Sequence, residues 1–222
     1  MADAARGDGP EFLRDPVLSS RGIAHGFGLR TSPELALRRP RQVHGAHAVW
    51  ASASNELGDA DAVLTRERGV CVGVVTADCV PILVAANGVV GAVHAGWRGF
   101  AAGVIESALA ELARASAGEP VAAAIGPCIG GCCYEVDAPV LGPLRARYGA
   151  LLECALAPAR PQRARLDLGV LAQLALARAG VAPAAIGVSA RLCTQCDAAR
   201  FHSHRRDGAR AGRLAHWIEA AS

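Results

Sequence analysis

Apolar positions follow two rhythms along the chain. In the first half they come in short runs bounded by Gly, Pro, Asn or Asp, which read as strands. "GIAHGF" at 22–27, "RQVHGAHAVW" at 41–50, "DAVLT" at 61–65 and "VCVGVVT" at 70–76 are of this kind. "PILVA" and "VVGAVHAG" then form a pair joined through "ANG", where Asn87-Gly88 is a strong signal for a two-residue hairpin turn. Residues 99–117 switch to a helical period, with Val104, Ala108, Leu109 and Leu112 spaced for one buried face, and "VAAAIG" at 121–126 returns to a short buried strand. Further on, "DAPVLGPLRARYG" and "LDLGVLAQLALARAG" read as helices. Asp167 is placed to cap the second and Gly180 to end it. "IGVSA" is a last strand, and the segment from Cys193 onward is polar and rich in Cys, His and Arg. Residues 1–20 read as a loose polar lead-in and 21–222 as one domain, since no repeat or composition break marks a linker. One domain with mixed strand directions accounts for this order.

Composition narrows the picture. A chain of 222 residues with 52% hydrophobic and 19% charged positions holds one substantial core and is not disordered. The net charge of +3 is small and its arginines are scattered, so nucleic acid is not an expected partner. No window approaches a membrane span, because Asp78 breaks the most apolar stretch, and "MADAARGDGPEFLRD" lacks the apolar core of an export signal. Eight cysteines without such a signal point to a reducing, cytoplasmic setting, where thiols serve as metal ligands, nucleophiles or buried small hydrophobes.

The hairpin supplies the chemistry. With Asn87-Gly88 at the turn, His94 lies opposite Pro81 and Cys79 opposite Gly96, so Cys79 and His94 share a face as diagonal neighbours, about 7 Å apart at the backbone. A thiolate and an imidazole so placed are natural zinc ligands. A third ligand is available in "RQVHGAH", where His44 and His47 point to opposite faces of a strand; His44, on the face of Gln42 and followed by Gly45, is the better candidate. A lone buried Cys or His is commonly a packing or hydrogen-bonding group, and convergence of all three is what would separate ligands from that. Asp78 adjoins Cys79 and reaches the site only if a bulge or strand end precedes Pro81; otherwise it is a hydrogen-bonded turn carboxylate. Arg98 opens the next helix, either as an anion contact or as a cover for Trp97.

Five motifs in order, "RQVHG", "TADCVPIL", "VHAGWRG", "IGPCIGGCCYEV" and "CTQCDAARFHSHRRDGARAGR", resemble the YfiH-like family, also called multicopper polyphenol oxidase or laccase-domain proteins and now regarded as purine nucleoside phosphorylases. The resemblance covers about residues 22–218. It implies an α+β fold of α/β/β/α type, a mixed β-sandwich core flanked by helices. It also implies one zinc on His44, Cys79 and His94. The implied activities are phosphorolysis of adenosine, inosine, guanosine and methylthioadenosine, and deamination of adenosine. The older label implies copper and phenol oxidation, and a peptidoglycan-editing role is attached to relatives.

One departure stands out. Relatives carry "TRxGGVS", "SLNLG" and "NR" stretches between "HGF" and "QVHG", whereas here "HGFGLRTSPELALRRPRQVHG" runs directly across. An Arg from that region helps hold phosphate in relatives. Arg30 is its nearest positional match, with Arg38 or Arg39 as alternatives, and a member that lost turnover with this segment is a rival reading.

Three protein ligands leave a zinc with an open position, as catalysis requires. Asp78 is the candidate proton shuttle, and Arg98, Arg205 and Arg206 are candidate phosphate contacts. His202 and His204 read as incidental. The common nucleobase-deaminase signature, HxE with PCxxC, is absent. Multicopper oxidation needs several His-rich sites, and seven His in all are too few and too scattered. Cys128, Cys132, Cys133, Cys193 and Cys196 could build a second, structural zinc site or redox thiols, with packing and loop geometry the preferred role.

Overall fold

The computed structural model describes residues 11–188 and 192–220. From the N-terminal side the elements are β1 (Phe12–Leu13), α1 (Pro16–Ser19), β2 (His25–Gly28), β3 (Ala48–Trp50) and β4 (Ala62–Thr65). Next come β5 (Cys71–Thr76), β6 (Val80–Ala86), β7 (Val89–Ala95), α2 (Trp97–Ala102), α3 (Val104–Ala115) and β8 (Ala122–Ile125). The rest comprises β9 (Glu135–Val136), α4 (Ala138–Tyr148), β10 (Leu156–Pro158), β11 (Ala164–Leu166), α5 (Leu168–Arg178), β12 (Ile186–Val188), α6 (His204–Asp207) and β13 (Leu214–Glu219). None of the described helices is long and apolar enough to cross a membrane.

Two sheets stack to make the centre of this α+β domain. One runs β12-β8-β6-β7-β4-β3 and the other β1-β2-β13-β5, while β10-β11-β9 form a small third sheet. β6 and β7 are buried along their whole length, which explains their near-continuous apolar sequence. Leu83, Ala85, Val90 and Ala92 point between the two sheets, against Val72, Val74 and Ile218. Ile82, Val84, Val89 and Val93 point the other way, into a layer that includes Val104, Leu112, Leu144, Leu171 and Leu176 from α3, α4 and α5. A strand buried on both faces has no polar side to show.

The hairpin adopts the register its turn predicts. Pro81 pairs with His94 and Ile82 with Val93, down to Ala86 with Val89. Asn87 and Gly88 both have positive φ, 42° and 76°, as a type I′ turn requires. Asp167 caps α5 by accepting from Val170 N at 3.0 Å, as its position predicts.

Three readings change. The helix placed over 99–117 is two, α2 and α3, broken at a left-handed Gly103, beside which Arg147 reaches across to Glu106. The lead-in placed over 1–20 is packed from residue 11 onward: Phe12 pairs with Gly28, Leu18 is fully buried, and Asp15 caps α1. Residues 1–10 lie outside the described region. The polar segment after Cys193 ends in β13, which sits in the middle of its sheet between β2 and β5. Its inward side chains are Leu214, His216 and Ile218, and the polar His216 masked the alternation.

Candidate active site

His44, Cys79 and His94 meet at one end of the stacked sheets. Their donor atoms all lie within 4.8 Å of one another, with His44 Nε2 3.9 Å from Cys79 Sγ. His94 is the second-last residue of β7, just before Gly96, and lies on the same strand face as Ala92, which points between the sheets. Cys79 sits one residue ahead of β6. A side chain at Gly96 would press to 3.0 Å from both Cys79 Sγ and His44 Cδ2, so glycine is what leaves this corner room to close.

His44 is not on a strand, as the sequence reading had it. Residues 42–47 form a loop in which His44 takes a left-handed φ of 60°, a conformation worth about 1 kcal/mol against a non-glycine residue. Asp61 holds it there. Its carboxylate accepts from the backbone N–H groups of Val43 (3.2 Å), His44 (3.0 Å) and Gly45 (2.6 Å). The same carboxylate binds His94 Nδ1 at 2.7 Å, which leaves Nε2 facing Cys79 and His44. Gln42 adds a second anchor, exchanging two 2.8 Å hydrogen bonds with the backbone of Val75 on β5. His47 turns away and contacts the Asp59 carbonyl. Sequence reasoning missed Asp61 entirely; it lies 33 positions from His94 and looks like the first residue of a buried strand.

The electrostatics suit a cation. Burial alone would raise the Cys79 thiol, but hydrogen bonds and charge from His44 and His94 outweigh it and bring it down to about 7. Burial likewise opposes charge on His94, yet Asp61 and Cys79 lift it to about 9. Asp61 stays ionised because His94 and the loop N–H groups offset its burial. A thiolate and two imidazoles, one fixed by a carboxylate in the arrangement common behind zinc-bound histidines, fit a tetrahedral zinc with one position open.

A cavity of about 650 Å³ opens over this corner. Ile129, Leu168 and Trp97 give it apolar wall, and Tyr134 adds a phenol that burial beside Cys79 pushes up to about 12, so it remains a hydrogen-bond donor. Arg39, Arg41, Arg98, Arg205 and Arg213 surround it with positive charge.

The predicted polar residues divide. Asp78 has φ 90° just before β6, so it escapes strand alternation and lines the cavity beside Cys79. Its carboxylate accepts from Thr194 Oγ1 (2.6 Å), Ser203 Oγ (3.1 Å) and Arg205 N (2.6 Å), the contacts of a loop anchor. Arg98 covers Trp97, 4.4 Å from the ring centroid, and also lines the cavity. Arg205 lies over Tyr134 at the cavity wall.

Arg206 is a correction. It pairs with Asp207 and donates to the carbonyls of Thr194, Gln195 and Phe201, which spends its guanidinium on tying a loop together. Arg30 is another, because it binds the Ala198 carbonyl and does not line the cavity. Of its alternatives, Arg38 is held by Asn55 while Arg39 does line the cavity. His204, read as incidental, also lines it.

Comparison with known proteins places the chain. The profile of the family described as multi-copper polyphenol oxidoreductase laccase matches residues 20–221. Purine nucleoside phosphorylase YlmD of Geobacillus stearothermophilus is 38% identical over 191 residues, covering 80% of this chain and 69% of that protein. Adenosine deaminase RL5, from an unknown prokaryotic organism, is 35% identical over 156 residues, covering 69% of this chain and 59% of its own length. The crystal structure of YlmD from Geobacillus stearothermophilus superposes with a TM-score of 0.85 at 30% identity, covering 100% of this chain and 98% of that one. A match over this much of the sequence and fold decides the family: the chain belongs to the multi-copper polyphenol oxidoreductase laccase family.

Proposed function

We propose that this protein is a zinc-dependent purine nucleoside phosphorylase acting on adenosine, inosine, guanosine and methylthioadenosine, with adenosine deaminase activity at the same site. The observation that carries the reading is the convergence of His44, Cys79 and His94 on one point, at the floor of a cavity ringed by arginines. Relatives named purine nucleoside phosphorylase and adenosine deaminase support the reaction classes.

Zinc on these three side chains would supply Lewis-acid polarisation at neutral pH, when bound. The chain's own groups supply the rest. Arg39, Arg98 and Arg205 are the cations at hand for phosphate, and they neutralise its charge as it approaches the ribose C1′. The purine meets Trp97, Ile129 and Leu168 on its faces, and the Tyr134 hydroxyl can donate to a base nitrogen as negative charge builds there. Asp78 acts by fixing Thr194, Ser203 and the Arg205 backbone, which keeps the Arg205 side of the cavity in place. Copper oxidation of phenols fits less well, because the only metal-ligating group with histidines among the described residues is this one.

The test is turnover of inosine and adenosine with and without phosphate, by zinc-loaded wild type and Cys79→Ala. Phosphate-dependent release of free base that Cys79→Ala abolishes is the expected result, with phosphate-independent ammonia release from adenosine marking the deaminase. Free-base release that ignores phosphate, or that survives Cys79→Ala, overturns the reading.

A further inference from the structure

A second cluster of sulfur atoms lies apart from the site just described. Cys132 and Cys133 come from the tight loop after β8, closed by Cys133 N and Tyr134 N on the Gly130 carbonyl. Cys193 and Cys196 come from the segment after β12, which is held to the first loop by Thr194 N on the Cys128 carbonyl at 3.0 Å. The four Sγ atoms all lie within 4.8 Å of one another, and all four cysteines are free thiols. The separations are 3.7 Å for Cys132–Cys133, 3.6 Å for Cys132–Cys196 and 3.3 Å for Cys133–Cys196. Four sulfurs about 2.3 Å from a tetrahedral zinc stand about 3.8 Å from each other, so the cluster already has close to the required size. The backbone N–H of Gly130 donates to Cys193 Sγ at 3.3 Å, the contact a metal-bound thiolate favours.

We propose that Cys132, Cys133, Cys193 and Cys196 form a second, closed zinc site that clips the 130–134 loop to the 193–196 loop. The pairing carries the spacing of a zinc ribbon on one side only, a CxxC at 193–196 facing an adjacent CC pair, and the fold brings the two together across 63 positions. Four thiolates fill the coordination sphere of zinc, leaving no open position, so the site is structural. Its place in the fold gives it a task. Thr194, between the two cysteines of the second loop, donates to Asp78, and Arg206 donates to the carbonyls of Thr194 and Gln195. The first loop leads directly into Tyr134 at the cavity wall. The clip therefore fixes Tyr134 relative to the Thr194–Asp78–Arg205 contacts beside it, without touching His44, Cys79 or His94.

The decisive measurement is zinc content per chain by elemental analysis, on protein purified under reducing conditions. Cys79→Ala, which removes a ligand of the first centre, is expected to keep one zinc. Adding Cys132→Ser and Cys196→Ser to Cys79→Ala is expected to remove that zinc. Since those serines could also prevent folding, alkylation of folded Cys79→Ala provides an independent readout: the four cysteines are expected to react only after a chelator strips the metal. Cys79→Ala holding no zinc would overturn the proposal. So would chelator-independent alkylation, or a Cys133–Cys196 disulfide found by mass spectrometry in acid-trapped native protein. The result does not depend on nucleoside turnover, so it stands or falls separately from the phosphorylase reading.

Discussion

Asp61 receives three successive backbone N–H groups and one imidazole, so a single side chain sets both the His44 loop and the His94 ring. Asparagine there keeps the shape but turns an amide N–H₂ toward the Val43 and Gly45 donors. Asp61→Asn is expected to weaken zinc about 10–100-fold, as loss of a carboxylate behind a metal-bound His does. Competition against a chromophoric chelator reads this directly, and unchanged affinity would show that the loop holds its own shape. Two of the three candidate ligands were legible because the hairpin register follows from Asn87-Gly88. The third was chosen for a wrong geometric reason, since His44 sits in a left-handed turn where strand alternation has no meaning. Asp78 escaped the same alternation through its own positive φ. The arginines were least legible: Arg206 and Arg30 bond to carbonyls of nearby segments, and nothing in a string of letters shows which guanidiniums are already spent.

The β6–β7 hairpin carries Cys79 just ahead of one strand and His94 near the end of the other, so its turn governs the alignment of these two side chains from more than 20 Å away, at about 3.4 Å per residue. A Cβ at Gly88 would meet open space, so the whole penalty of Gly88→Ala is the left-handed backbone. The variant is expected to lose about 1 kcal/mol in urea unfolding with no change in the slope of the transition. A loss near zero would mean that strand pairing alone keeps the register. Elements with one strong local signal were readable in this way: the turn, the Asp167 cap, the α3 stripe. The three-stranded β10-β11-β9 sheet has strands of two or three residues, too short to show a period, and it went unread.

At the scale of the molecule, His216 joins three strands. It lies on β13, accepts from Gly28 N on β2 at 3.3 Å, and meets Thr76 Oγ1 on β5 at 2.9 Å. Because a backbone N–H can only donate, Nδ1 is the acceptor and Nε2 carries the proton to Thr76. Burial, with a smaller contribution from His94, lowers His216 from 6.5 to about 3. Well above pH 6.5 the residue is neutral in both states and contributes no pH dependence. As pH falls from 6.5 toward 3 the unfolded chain takes up a proton that the folded one refuses, so stability drops across that window. The loss by pH 5 is roughly 2 kcal/mol. Urea midpoints at pH 7 and pH 5 measure it, and His216→Gln is expected to flatten the difference; an equal slope in the variant would assign the loss to other groups.

The central place of β13 in its sheet has a consequence for how the molecule is made. Thr76 and His216 are 140 positions apart, and Gly28 and His216 are 188 apart. During synthesis β2 and β5 leave the ribosome long before the strand that separates them, and until residue 219 emerges each keeps an unpaired edge beside Val72, Val74 and Phe27. The nascent chain thus spends most of its translation with half of its sandwich unable to close, which makes it a natural client for a chaperone that shields strand edges.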